Sequence, residues 1–185
     1  MGRVKLISGQ FGGRFITSPD SRSTHPMGER VRSAIFNMLS SEVPGSRVLD
    51  AFAGSGAVGL EALSRGAEHV TFVEKDRVAG NIIAENIDLL GVEDRAKLIR
   101  ASVGGWINTS GDQEFDLIFV DPPYHNEQFS TVERLLGLLK VGGCMILSHS
   151  GRGGILEKHG IVVVDNRSYG NANITLYRRE DLRST

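Results

Sequence analysis

The chain has 185 residues, 40% of them hydrophobic and 23% charged, with a net charge of −1. That composition suits a globular protein with a real core, and it excludes a disordered or fibrous chain and a strongly basic nucleic-acid binder. The apolar runs are strand-sized and the opening MGRVKLISGQF has no signal-peptide core, so a soluble, cytoplasmic protein without membrane contact is expected.

In chain order, VKLI (4–7) and RFIT (14–17) flank GQFGG and read as a short hairpin, so residues 1–24 form an N-terminal extension and 25–185 the main domain. The segment GERVRSAIFNMLS follows, with Val31, Ile35, Met38 and Leu39 at helical spacing and Arg30 and Arg32 expected to point elsewhere. Charge is uneven. Residues 1–47 carry seven Lys/Arg against three Asp/Glu, residues 150–185 six against four, and the middle only eight against fifteen. An acidic body with basic ends suits a polyanion held from the side, which makes Arg14, Arg30 and Arg32 candidate nucleic-acid contacts. Equally, the N-terminal portion could simply cover one face of a sheet.

From residue 47 the chain alternates regularly. Strand-like runs RVLDAF (47–52), HVTFVE (69–74), AKLIRA (96–101), FDLIFV (115–120) and CMILSH (144–149) are separated by segments of helical period. In RVAGNIIAENIDLL the expected buried face runs through Val78, Ile82, Ala84 or Glu85, and Leu89, with Gly91 as a left-handed cap. EQFSTVERLLGLL repeats the pattern through Phe129, Val132, Leu136 and Leu139 before Gly142-Gly143. The rhythm predicts an α/β fold, a Rossmann-like parallel sheet with helices on both faces and ligands at the strands' carboxyl ends. The last runs, IVVVDN (161–166) and NITLYRR (173–179), have no helix between them and predict an antiparallel C-terminal hairpin on the sheet edge. The one cysteine, Cys144, is expected to be a buried small side chain, and the five histidines lack the pairing of a zinc site, so no metal is expected.

After the first of these strands comes DAFAGSGAVG. Gly54, Gly56 and Gly59 match the glycine fingerprint of nucleotide-binding loops, in which the backbone approaches a ligand closely. Asp50, with Phe52 and Ala53 interposed before the glycines, would repel a pyrophosphate but suits the ammonium of S-adenosylmethionine, whose carboxylate suits helix-start amides. Ser55 and Gly56 complete the candidate cofactor loop. Glu74 ends the next strand, where an acid can accept from two ribose hydroxyls; Lys75 follows, and Asp76 is a candidate helix cap. Ser102 and Val103 lie where an adenine ring would sit, although a loop serine also serves local turns.

The run FVDPPYH ends its strand rigidly, because two prolines forbid both further pairing and a helix start on the first of them. Asp121, Pro122, Pro123 and Tyr124 are the candidate catalytic residues, with Asp121 also beside the cofactor. The Asp121 carboxylate and the Pro122 carbonyl can each accept one N–H of a planar NH₂ group, aiming its lone pair at a methyl and stabilising the charge that grows on nitrogen. Tyr124 can stack on the ring that bears the amine, worth about 1–3 kcal/mol for a nucleic-acid base. Alignment can remove roughly 7–11 kcal/mol of barrier, so neither a metal nor a covalent intermediate is called for.

With KLISGQFGGRFI, ERVRSAIFNML, LDAFAGSGAVGLEALSRGA, FVEKDRVAGNIIAENI, VDPPY and a closing LYRR, the chain resembles the bacterial 16S ribosomal RNA guanine-N2 methyltransferases of the small single-domain type. The resemblance implies a seven-stranded class I methyltransferase sheet and S-adenosylmethionine as donor. It also implies a guanine exocyclic amine as acceptor, in 16S ribosomal RNA within a small ribosomal subunit or its assembly intermediate, and action as a monomer. It assigns Asp121, Pro122 and Tyr124 to catalysis and Asp50, Gly54, Gly56 and Glu74 to the cofactor. Two departures stand out: His25-Pro26-Met27 replaces the usual Arg-Pro-Thr, and Ser102-Val103 replaces an acidic or small polar pair. Asp-Pro-Pro-aromatic motifs also serve adenine amines and protein glutamine amides. A non-catalytic RNA-binding assembly factor is a third reading, against which Asp50, Glu74 and Asp121 speak.

Overall fold

A computed structural model describes residues 1–20 and 27–183. Two short strands, β1 (Gly2–Lys5) and β2 (Phe15–Ser18), pair antiparallel as the N-terminal hairpin, and α1 (Glu29–Met38) follows. The alternating middle comprises β3 (Arg47–Ala51), α2 (Ala57–Ser64), β4 (His69–Val73), α3 (Arg77–Leu90), β5 (Ala96–Ile99), α4 (Val103–Ile107), β6 (Phe115–Val120) and α5 (Phe129–Leu135). It closes on β7 (Leu139–His149), β8 (Ile161–Tyr169) and β9 (Ala172–Arg179).

The main sheet has the order β5-β4-β3-β6-β7-β9-β8, parallel from β5 to β7, with β9 inserted antiparallel between β7 and β8. Strand order reverses between β3 and β6, and the carboxyl ends of those two strands therefore flank a crevice. Both faces of the sheet are covered, which is why its strands read as nearly continuous apolar runs. Alternate residues divide between two cores. Val48, Phe72, Leu117, Phe119 and Ile146 pack with the hairpin, α1, α2 and α3. Leu49, Val73, Ile118, Val120, Met145 and Tyr177 pack with α4 and α5.

Three sequence expectations shift. In α3 the buried stripe is Ala79, Ile82, Ile83, Asn86, Ile87 and Leu90, while Val78 and Leu89 are 61% and 52% exposed. Asp76 caps the helix by accepting from the Ala79 N–H at 2.8 Å, as anticipated, yet the stripe runs one residue later than read because it passes through a polar side chain. Asn86 belongs inside because its amide pins the β2 backbone at Thr17 and the Ser55 carbonyl. The segment after Phe129 is helical only to Leu135, tightens through a 3-10 turn, and becomes strand at Leu139; a left-handed Gly142 lets β7 break register against β6 and continue.

The third correction concerns α1, which buries Arg32 with Ile35 and Phe36. Its guanidinium donates to the Lys5 carbonyl at 2.6 Å and the Met27 carbonyl at 3.3 Å, and lies 3.8 Å from the buried Glu61 carboxylate. Arg32 is therefore a structural clamp between hairpin, α1 and α2, and is not available to RNA. Glu61 also accepts from the Ile7 and Ser8 N–H groups and from Arg65. The hairpin thus shares the main core through Leu6, Phe11 and Ile16. Among the described residues, no helix is long and apolar enough to cross a membrane.

Candidate active site

Register brings four residues to one level. Ala51 pairs with Val73 on one side and Val120 on the other, and Val120 pairs with Leu147, so Glu74, Phe52, Asp121 and Ser148 follow side by side along the carboxyl edge.

On the cofactor side, the chain leaves β3 through a left-handed Phe52 (φ 59°), and the Gly54 N–H donates to Glu74 Oε2 at 2.8 Å. A Cβ on Gly59 would stand 2.3 Å from the Phe72 ring, so only glycine lets α2 lie this close to β4. Gly54 is also left-handed, and a Cβ there would meet nothing within 4 Å; its face is open to a ligand. Asp50 is buried behind the loop and accepts from the Gly59 N–H at 2.9 Å. Burial raises its pKa well above the usual carboxylate range, the Gly59 amide opposes this, and the charges of Asp121 and Glu74 push it further up. A buried acid with two further carboxylates pushing on it, beside an open glycine turn, favours a cationic ligand. The sulfonium and ammonium of S-adenosylmethionine meet that requirement, and α2 starts with no side-chain cap, leaving the positive end of its dipole at the loop for a carboxylate.

The remaining expected contacts divide. Ala53 is buried within the loop, and Ser55 turns inward, its hydroxyl accepting weakly from the Ala57 N–H at 3.3 Å. Lys75 is exposed beyond Glu74, whose second oxygen accepts from the Asp76 N–H. Ser102 is the cap of α4, accepting from the Gly105 N–H at 3.1 Å. The Val103 side chain packs into the core with Trp106, leaving only its backbone for a ligand. Of His25-Pro26-Met27, the first two lie outside the described residues.

On the opposite side, β6 stops at Val120. Asp121 is enclosed enough that burial raises its pKa to about 6 against the opposing effect of the Ser148 hydroxyl. Among the described residues no donor binds the Pro122 carbonyl, while the Pro123 carbonyl accepts from the Asn126 N–H at 2.8 Å and closes a turn. The Tyr124 ring is 38% exposed and its hydroxyl lies 2.7 Å from Ser148 Oγ. The loop is also latched by Glu127, buried, which accepts from the Ser150 N–H. The sequence reading missed Ser148 and Glu127, because only strand register reveals that the end of β7 meets this loop.

Of the two remaining candidate RNA contacts, Arg14 is exposed, with its guanidinium on the Leu89 carbonyl at 3.0 Å. Arg30 is exposed on α1, beside Ile7, Glu29, Ser33, Ala34 and Asn37 in an open groove of about 590 Å³.

Residues 4–178 match the family described as Conserved hypothetical protein 95. Ribosomal RNA small subunit methyltransferase D of Haemophilus influenzae (strain Rd) is 37% identical over 140 residues, covering 75% of this chain and 71% of that protein. Its Escherichia coli K12 counterpart is 34% identical over 142 residues, covering 77% and 69%. Among solved structures, yhhF of Escherichia coli superposes with a TM-score of 0.87 at 28% identity over 97% of this chain and 99% of that one. A hypothetical protein of Thermus thermophilus gives 0.81 at 32% identity over 95% and 99%. The glycine turn with its acids, the rigid Asp-Pro-Pro-Tyr exit and the seven-stranded sheet are a class I methyltransferase framework, and the chain belongs to the Conserved hypothetical protein 95 family, together with the small-subunit ribosomal RNA methyltransferases D.

Proposed function

We propose that the protein methylates the exocyclic N2 amine of a guanine in 16S ribosomal RNA, with Asp121, Pro122 and Tyr124 acting on the amine and Asp50, Gly54, Gly56 and Glu74 holding the donor. The observation that carries this reading is the Asp121 carboxyl at the switch crevice, level with Glu74 and next to a Pro122 carbonyl that no other group among the described residues uses. Bound S-adenosylmethionine supplies a methyl already activated on a sulfonium. Glu74 accepts from ribose hydroxyls with the lone pairs that its two backbone bonds leave free, and Gly54 lets the donor approach. Asp121 and the Pro122 carbonyl accept the two amine N–H groups, turning the nitrogen lone pair out of conjugation. As the N–C bond forms and the S–C pair returns to sulfur, Asp121 takes the surplus amine proton, a role that its raised pKa of about 6 suits. Tyr124 stacks on the base, which must first leave any helix that holds it, at an expense of a few kcal/mol. Arg14 and Arg30 steer RNA from the basic N-terminal side.

The test is transfer to unmodified small ribosomal subunits and to their naked RNA, with the product read by nucleoside mass spectrometry. N2-methylguanosine is expected. Methyl on adenine or on protein glutamine overturns the acceptor assignment, and cofactor binding without turnover supports a non-catalytic assembly role instead.

A further inference from the structure

Ser148 is a buried hydroxyl for which the fold itself supplies no reason. It sits in β7 at 2% exposure, with Ile174 of β9 as its register partner, and takes no part in the His149–Thr175 hydrogen bond beside it. Other buried serines serve the backbone: Ser46 donates to the Val43 carbonyl, and Ser64 accepts from Phe11 and donates to Ser8. Among the described residues, the Ser148 hydroxyl bonds no main-chain group; its hydrogen-bond partner is the phenol of Tyr124, at 2.7 Å. Register supplies a second neighbour, since Val120 pairs with Leu147 and Asp121 therefore emerges beside Ser148.

Resting on the methyl-transfer reading above, we infer that Ser148 is a positioning residue, receiving the phenolic O–H of Tyr124 and donating to the Asp121 carboxylate, so that aromatic plane and proton acceptor are held at one spacing. The direction follows from proton count. A serine hydroxyl has one proton and cannot donate to both partners, and an ionised carboxylate only accepts, so the order Tyr124 to Ser148 to Asp121 satisfies all three. The arrangement fixes one side of the carboxylate and leaves its remaining lone pairs for the amine. Ser148 opposes the rise in pKa that burial imposes on both Asp121 and Tyr124. The other acids around the pair are Asp50 from β3, Glu74 from β4 and Glu127 from the loop itself.

The experiment compares S148A, S148T, Y124F and D121A in methyl transfer to unmodified small subunits, with kcat, KM and the pH profile of kcat/KM measured beside S-adenosylmethionine affinity by calorimetry. S148A is expected to lose about tenfold in kcat, the worth of one hydrogen bond to a charged group, with cofactor affinity within about twofold of wild type. Its acid limb should move to higher pH, because Asp121 loses a donor that favours the carboxylate; S148T, which keeps a hydroxyl on a strand, should restore both. Y124F tests the other end on a half-exposed side chain, where folding is not at issue, and should lose severalfold in kcat. Wild-type kcat and acid limb in S148A, or wild-type kcat in Y124F, overturn the positioning role. An active D121A would instead overturn the catalytic reading on which it rests.

Discussion

The loops after β3 and β6 meet at the same crevice but are held in opposite ways. The β3 loop is organised by its own backbone: Asp50 takes the Gly59 N–H, Glu74 takes those of Gly54 and Asp76, and the acids are engaged before any ligand arrives. The β6 loop is stiffened by two prolines and tied down by side chains, Tyr124 to Ser148 and Glu127 to Ser150, while among the described residues the Asp121 carboxyl bonds no main-chain N–H and no donor takes the Pro122 carbonyl. One loop ties its acids to its own backbone, and the other is a rigid frame that leaves acceptor lone pairs turned to the crevice. The contrast shows how one crevice can bind a donor through satisfied polar groups and do chemistry through hungry ones.

Replacing Asp121 should break this contrast most severely. D121A is expected to lose about 10²–10³-fold or more in kcat, by analogy with removal of a single transition-state hydrogen-bonding group, while calorimetry finds cofactor affinity nearly unchanged. A large fall in affinity would mean that Asp121 belongs to the donor side. Next in size, E74A should weaken S-adenosylmethionine binding by about 1.5–3 kcal/mol and leave kcat at saturation close to wild type, since the lost bonds are charge-assisted and remote from the amine. A kcat defect at saturating donor would place Glu74 in the chemistry. The smallest effect sharpens the idea of acceptor lone pairs left to the crevice. Burial raises the Asp121 pKa from 3.8 to about 6, so the folded state holds this proton more tightly than the unfolded chain, and stability falls as pH rises between those values. D121N removes the buried charge and should raise stability by on the order of 1–3 kcal/mol at pH 7–8, with the gain vanishing near pH 4. Calorimetric melting across pH reads it; an unchanged or lowered Tm at pH 8 would show the carboxylate to be satisfied after all.

Much of this was legible in the residues. The strand runs, the βαβ rhythm, the C-terminal hairpin, the Asp76 cap and the Gly91 stop are written locally, as turn chemistry and side-chain period. What was not legible depended on partners distant in sequence. Arg32 reads as a free cation because its acceptors, the Lys5 carbonyl and Glu61, lie 27 and 29 residues away. Asn86 reads as polar surface because its use is set by Thr17 and Ser55, and the phase of α3 was misjudged with it. Ser148 reads as a strand end, since no local signal states that β7 will lie beside β6 with Leu147 opposite Val120. The Asp-Pro-Pro-Tyr exit was readable for the reverse reason: prolines impose geometry without needing a partner.

The stitching of the N-terminal hairpin to Glu61 has a consequence for how such a protein could be rebuilt. The carboxylate belongs to α2; its donors are the Ile7 and Ser8 N–H groups and Arg65, with the Arg32 guanidinium 3.8 Å away. Deleting the hairpin would take two backbone donors from Glu61 and the Lys5 carbonyl from Arg32, leaving both buried groups short of partners, the first of them on the helix that carries the glycine turn, which is destabilising. The arm is therefore not an interchangeable cassette. A chimera wanting another protein's N-terminal hairpin would have to import α2 along with it, or replace Glu61 and Arg32 together by hydrocarbon.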